Sequence, residues 1–181
     1  MQFPTSAAKG MLASIKVLIL DVDGVLTDGQ IIYHDDGHEI KIFHVRDGLG
    51  LRLLQHAGID VAIATGRSTP ALQHRCKNLG VKLIFDGLRQ KSTVLKHISK
   101  ATGATPREML FMGDDLPDLR LMARVGVAVA VADAHTKVLQ AADIITGASG
   151  GRGAVREVCE ALLKARGVWE TLVDNLAHER L

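Results

Sequence analysis

The run Val17-Leu18-Ile19-Leu20 is apolar, too short for a stable helix, and ends abruptly in Asp21-Val22-Asp23-Gly24. Such a run suits a buried strand, and residues i and i+2 of a strand share a face. If the extended backbone continues, Asp21 and Asp23 leave the carboxyl end of the strand on the same side. In open α/β sheets, that end is where ligands bind. The pattern then recurs. The segment 60–64 leads into Thr65-Gly66-Arg67, 82–85 precedes the loop with Lys91, and 109–112 leads into Gly113-Asp114-Asp115-Leu116-Pro117-Asp118. Segments 127–131 and 143–145 read as the remaining strands.

Between these strands, helices are expected over 47–56, 70–79, 92–102, 118–124, 135–142 and from 154 to about 166. Asp47 suits a helix N-cap and Pro70 a first turn. Val155, Val158, Cys159, Leu162 and Leu163 fall at helical spacing. Segments 30–34 and 39–43 flank Asp35-Asp36-Gly37-His38, which predicts a β-hairpin. Strands alternating with helices predict an α/β fold, a Rossmann-like parallel sheet with helices on both faces and a small hairpin flap. One domain over 14–166 is expected, with an N-terminal arm over 1–13 and a helical tail over 167–181. The gaps from Asp23 to Thr65 and from Thr65 to Lys91 are too short for an inserted cap domain with its own core.

Composition narrows the function. Of 181 residues, 47% are hydrophobic, enough to fill a core. With 22 Lys+Arg against 20 Asp+Glu, the formal charge of +2 lacks the basic excess of a nucleic-acid binder. Cys76 and Cys159 form no CxxC, so buried free thiols in a reducing compartment are expected, and the cytoplasm with it. Neither a signal-peptide pattern nor an apolar run of about 20 residues is seen, and no membrane partner is expected.

Two unit charges 4 Å apart repel by about 1 kcal/mol in water and about 4 kcal/mol at an effective dielectric of 20. If Asp114 and Asp115 join Asp21 and Asp23, the cluster needs a cation. All-oxygen ligation points to a hard divalent ion, with Mg²⁺ common at phosphate sites. Turn formation or helix capping is the alternative for either acidic segment taken singly.

An acidic strand end, a Thr-Gly at a second, a later Lys and a Gly-Asp-Asp turn follow in order over residues 17–118. That set resembles the four motifs of the haloacid dehalogenase superfamily of phosphatases. Residues 23–29, His44-Val45-Arg46-Asp47-Gly48, Ala64-Thr65-Gly66-Arg67 and the Gly-rich segment 150–157 are similar to its sugar-acid phosphatase branch. The resemblance implies that Asp21 attacks phosphorus and that Asp23 protonates the leaving oxygen, then deprotonates water. It implies Mg²⁺ on the side chains of Asp21 and Asp114 and the backbone carbonyl of Asp23. Lys91 would offset phosphoryl charge, Thr65 would donate a hydrogen bond and Asp115 would orient water or substrate. Asp118 would support the metal ligands or cap a helix. Substrate contacts would come from His44 (Asn in many relatives), Val45, Arg46, Asp47, Gly48, Arg52, Arg67 and Arg75, besides Asp23 and Lys91.

The implied substrate is an eight-carbon sugar-acid phosphate in lipopolysaccharide precursor synthesis, and the implied assembly is a homotetramer with sites near subunit interfaces. The glycine segment would bring Arg152 or Arg156 toward a neighbouring site, or serve only as a helix entry loop. A nine-carbon sialic acid 9-phosphate is the alternative substrate. A catalytically silent binding or assembly module is the alternative of another class.

Overall fold

A computed structural model describes residues 10–178; the outer parts of the expected arm and tail, 1–9 and 179–181, lie outside the described residues. Six strands form one parallel sheet: β1 (Val17–Leu20), β4 (Asp60–Ala64), β5 (Leu83–Phe85), β6 (Met109–Gly113), β7 (Val127–Ala130) and β8 (Ile144–Ile145). Their order is β5-β4-β1-β6-β7-β8. The chain builds outward from β1 through β4 to β5, then crosses back to add β6, β7 and β8 on the other side. The switch point therefore lies between β1 and β6, where a crevice opens beyond the strand ends.

Every residue of β1 and β6 is buried. Each large apolar side chain so placed contributes about 1.5–3 kcal/mol of transfer free energy. This burial fixes register, because Leu20 lies opposite both Ile63 and Met112. The residues that follow, Asp21, Thr65 and Asp114, consequently emerge at neighbouring positions along one edge.

The helices are α1 (Val45–His56), α2 (Pro70–Leu79), α3 (Val94–Thr102), α4 (Leu119–Met122), α5 (Thr136–Ala141), α6 (Ala154–Ala165) and α7 (Trp169–Ala177). Thr69 caps α2, accepting from Leu72 N at 3.3 Å, with Pro70 in its first turn. Asp47 does not cap its own helix, contrary to the expectation. The chain turns helical at Val45, with His44 at the N-cap. The buried Asp47 carboxylate instead accepts Arg156 N, in the first turn of α6, at 2.8 Å. A cap for one helix is thus supplied by another, 109 residues away.

The hairpin is shorter than expected, with only β2 (Ile32–Tyr33) and β3 (Glu39–Ile40) paired across the turn. It forms a separate two-stranded sheet. The glycine segment before α6 packs on its own chain: Gly151 N donates to Val25 O at 2.9 Å, and Gly150 N to Asp133 Oδ1 at 2.9 Å. A Cβ on Gly150 would lie 1.7 Å from Gly24 O. Cys76 and Cys159 are free and buried.

Candidate active site

Beyond the ends of β1, β4 and β6 lies a cleft of roughly 460 Å³. Its lining includes Asp21, Asp23, Thr65, Arg67, Lys91, Asp114 and Asp115, together with Asp118 and Arg89. The acidic turn after β1 and the Gly-Asp-Asp turn after β6 therefore converge. Oxygens of Asp21, Asp114 and Asp118 all lie within 4.8 Å of one another. Gly24 makes this approach possible. Its φ is +84°, and a Cβ there would lie 2.0 Å from Asp114 Oδ2, so any other residue would displace a cluster carboxylate.

Lys91 is the cation that holds the cluster. Its buried ammonium donates to Asp21 Oδ2 and, at 2.6 Å, to Asp118 Oδ1. Burial works against its charge, but the two carboxylates prevail and raise its pKa. Removing one partner of such a buried set typically costs about 3–5 kcal/mol, because the remaining charge is left unpaired. Asp21 Oδ1 accepts Val22 N at 2.7 Å. Both oxygens of the fully buried Asp118 are engaged, since Oδ2 accepts Asp114 N at 2.9 Å and Asp115 N at 3.2 Å. Asp118 thus orders the turn that presents Asp114.

One ammonium does not balance three carboxylates. Asp114 is pushed up to about 7, first by burial and then by Asp21 and Asp118. Asp21 is pushed up to about 6 by burial, with Lys91 opposing and Asp118 reinforcing. The Asp114 carboxylate accepts no hydrogen bond from the described residues. A divalent cation would relieve that excess negative charge.

The hairpin is joined to two residues of the cleft lining, Asp23 and Arg67, by a second charge network. Lys41, whose side chain is 2% exposed, donates to Asp23 Oδ1 and pairs with Glu39 at 2.6 Å. Arg67 donates to Glu39 at 2.5 Å and to the Tyr33 hydroxyl at 3.4 Å. These bonds, Glu39 first, raise the Arg67 pKa despite partial burial. Asp23 Oδ2 is buried without a hydrogen-bond partner among the described residues, and Arg67 Nε stands 3.7 Å away. Thr65 is buried at the base of the cleft.

The other sequence candidates lie apart. Val45, Gly48, Arg52 and Arg75 line a second depression of roughly 270 Å³ between α1 and α2. Arg75 donates to His44 O at 3.3 Å and stacks 5.6 Å from the Phe43 ring centre; Arg52 donates to Asn78 O at 2.6 Å. Asp47 is committed to α6, and Arg46 is exposed on α1. Arg156 pairs with Glu160 at 2.8 Å and stacks on Trp169, while Arg152 meets Asp28 at 3.4 Å. Within one chain, therefore, neither the α1–α2 arginines nor Arg152 and Arg156 line the acidic cleft. Lys41, Glu39 and Arg89 are absent from the sequence expectations, and Asp118 enters them only as a support for the metal ligands or a helix cap. Only Asp118 carried a usable signal, by lying in the same acidic run as Asp114.

Comparisons with known proteins agree with this geometry. Residues 84–157 match the family model for haloacid dehalogenase-like hydrolases. The chain is 45% identical to the 3-deoxy-D-manno-octulosonate 8-phosphate phosphatase of Escherichia coli strain K12, over 85% of this chain and 82% of that one. The Moraxella catarrhalis enzyme of that name, crystallised with a magnesium ion, a phosphate ion and a KDO molecule, superposes with a TM-score of 0.91. It is 40% identical, with 95% of this chain and 99% of that one covered. The cobalt-bound deoxy-D-mannose-octulosonate 8-phosphate phosphatase of Haemophilus influenzae gives 0.86 at 44% identity, covering 89% and 94%. The acidic cleft, the uncapped parallel sheet and this likeness over nearly full length agree: the chain belongs to the 3-deoxy-D-manno-octulosonate 8-phosphate phosphatase family of haloacid dehalogenase-like hydrolases.

Proposed function

We propose that this phosphatase hydrolyses 3-deoxy-D-manno-octulosonate 8-phosphate through an aspartyl phosphate on Asp21, in cytoplasmic synthesis of lipopolysaccharide precursors. The observation that carries the reading is Lys91 bridging Asp21 and Asp118, with Asp114 in the same 4.8 Å cluster.

The donor set fits Mg²⁺, because it is all oxygen and carries more negative charge than Lys91 offsets. Asp21 and Asp114, with the backbone carbonyl of Asp23, would hold the ion, while Asp118 positions Lys91 and the Asp114–Asp115 turn. When bound, the ion would screen the carboxylates and polarise a phosphoryl oxygen. Asp21 attacks phosphorus, and the bond from phosphorus to the sugar oxygen breaks. Lys91 and the Thr65 hydroxyl hold the phosphoryl oxygens as charge redistributes. Asp23 gives a proton from Oδ2 to the leaving oxygen while Lys41 fixes Oδ1. The same Oδ2 then takes a proton from water, which attacks phosphorus and releases phosphate and Asp21.

A homotetramer belongs to the same proposal. Ile31, Ile32, Tyr33, Ile40, Ile42 and Val45 are all exposed on the hairpin and the start of α1. Ile32 and Ile40 are cross-strand partners on one face of the hairpin, and exposed apolar side chains so gathered suit an interaction surface. The depression holding Arg52 and Arg75 adjoins Val45 and Leu49, and would meet the sugar end of a neighbouring subunit's cleft. His44, Arg46, Asp47 and Gly48 would then shape that region rather than the phosphoryl site. The test compares kcat/KM for the eight-carbon ester and a nine-carbon sialic acid 9-phosphate, each with and without Mg²⁺. Preference for the eight-carbon ester, dependent on Mg²⁺, is expected. Preference for the nine-carbon ester would overturn the substrate assignment, and a monomer by light scattering would overturn the shared site.

A further inference from the structure

Among the cations lining the cleft, Lys91 is committed to Asp21 and Asp118, and Arg67 to Glu39. Arg89 is different. It is exposed, lines the same cleft, and has no hydrogen bond or ion pair with the described residues. Its place is nonetheless defined. Leu88 N donates to Thr65 O at 3.1 Å, pinning the loop to the end of β4 one residue before Arg89. Gln90 is extended, with φ −138° and ψ 103°, so Arg89 and Lys91 leave the loop on the same side. Lys91 enters the carboxylate cluster. Arg89 starts one two-residue step away, about 6.5–7 Å along an extended chain.

We propose that Arg89 is a specificity-determining residue that binds the carboxylate of the substrate's sugar acid. The inference rests on the phosphatase reading above. A phosphate on C8 and a carboxylate at C1 place two anions at opposite ends of the substrate. With phosphorus at Asp21, Arg89 stands in the lining of the same cleft, one two-residue step along the loop from Lys91. Guanidinium forks match carboxylates by paired N–H donation. Arg89 touches no reacting atom, so its contact strengthens binding equally before and during the chemical step. Its loss therefore belongs in KM rather than kcat.

The test measures kcat and KM of wild type, Arg89→Ala and Arg89→Lys with Mg²⁺, on 3-deoxy-D-manno-octulosonate 8-phosphate and on p-nitrophenyl phosphate, which has no carboxylate. Arg89→Ala should raise KM for the sugar-acid ester about tenfold, the scale of one charge-assisted contact. Its kcat should stay within about twofold, and p-nitrophenyl phosphate kinetics should not change. Arg89→Lys should fall between wild type and Arg89→Ala. Unchanged KM on both esters, or an equal rise on both, would overturn the carboxylate assignment while leaving the phosphatase reading intact. A wild type inactive on the sugar-acid ester but active on p-nitrophenyl phosphate would overturn the substrate reading, and this proposal with it.

Discussion

The strand-end cleft and the hairpin beside it are held by opposite means. The cleft is anchored in β1 and β6, whose residues are all buried, and its charges are placed by backbone register. The hairpin has two residue pairs, its own small sheet and an exposed apolar outer surface. It is tied to the cleft by side-chain charges, Lys41 to Asp23 and Glu39 to Arg67. Chemistry that tolerates little positional error sits on the rigid part. The part that would meet sugar and neighbouring subunits sits on an element that a few ion pairs hold in place.

Three changes separate the two regions. Asp21→Asn should have the largest effect, lowering kcat by at least about a thousandfold while the fold persists, since it removes the attacking oxyanion. Unchanged turnover would remove Asp21 from the nucleophile role. Ile42→Glu acts on the hairpin alone, placing a charge where an exposed apolar side chain stands. Light scattering should show smaller assemblies, and activity should fall about tenfold as inter-subunit contacts are lost. An unchanged assembly with normal activity would show that the hairpin works within one chain.

The third change is in pH, and its sign follows from the raised carboxyls. Asp21 and Asp114 move from a usual 3.8 to about 6 and about 7 in the metal-free fold. Across that interval the folded protein binds more protons than the unfolded chain. Its stability therefore falls as pH rises from about 4 to about 7. Mg²⁺ competes with those protons. The rise in Tm on adding saturating Mg²⁺ should be larger at pH 8 than at pH 5.5, by a few degrees. Equal increments would mean that the ion binds elsewhere.

The same contrast governs what the sequence discloses. Asp21, Thr65 and Asp114 each follow an apolar run whose burial sets strand position, so their convergence is readable from pattern alone. Lys91 is readable only through its order in the motif set, because its bridging role depends on where Asp118 folds. Lys41 and Glu39 look like ordinary hairpin charges, and nothing local reveals that they turn inward. Asp47 reads as a cap, but for the wrong helix, since its partner lies 109 residues on. Arg89 is invisible for a simpler reason. An exposed arginine is the ordinary case, and only the prior commitment of Arg67 and Lys91 singles it out.

In the proposed reaction Asp21 and Asp114 serve one divalent ion beside the phosphoryl acceptor. Titrating Mg²⁺ into EDTA-stripped wild type and Asp114→Asn, with turnover of the eight-carbon ester as the readout, tests this most directly. Wild type should be inactive when stripped and regain activity saturably, while Asp114→Asn should need at least about tenfold more Mg²⁺. Full turnover in EDTA, or an unchanged Mg²⁺ requirement in the variant, would contradict the account.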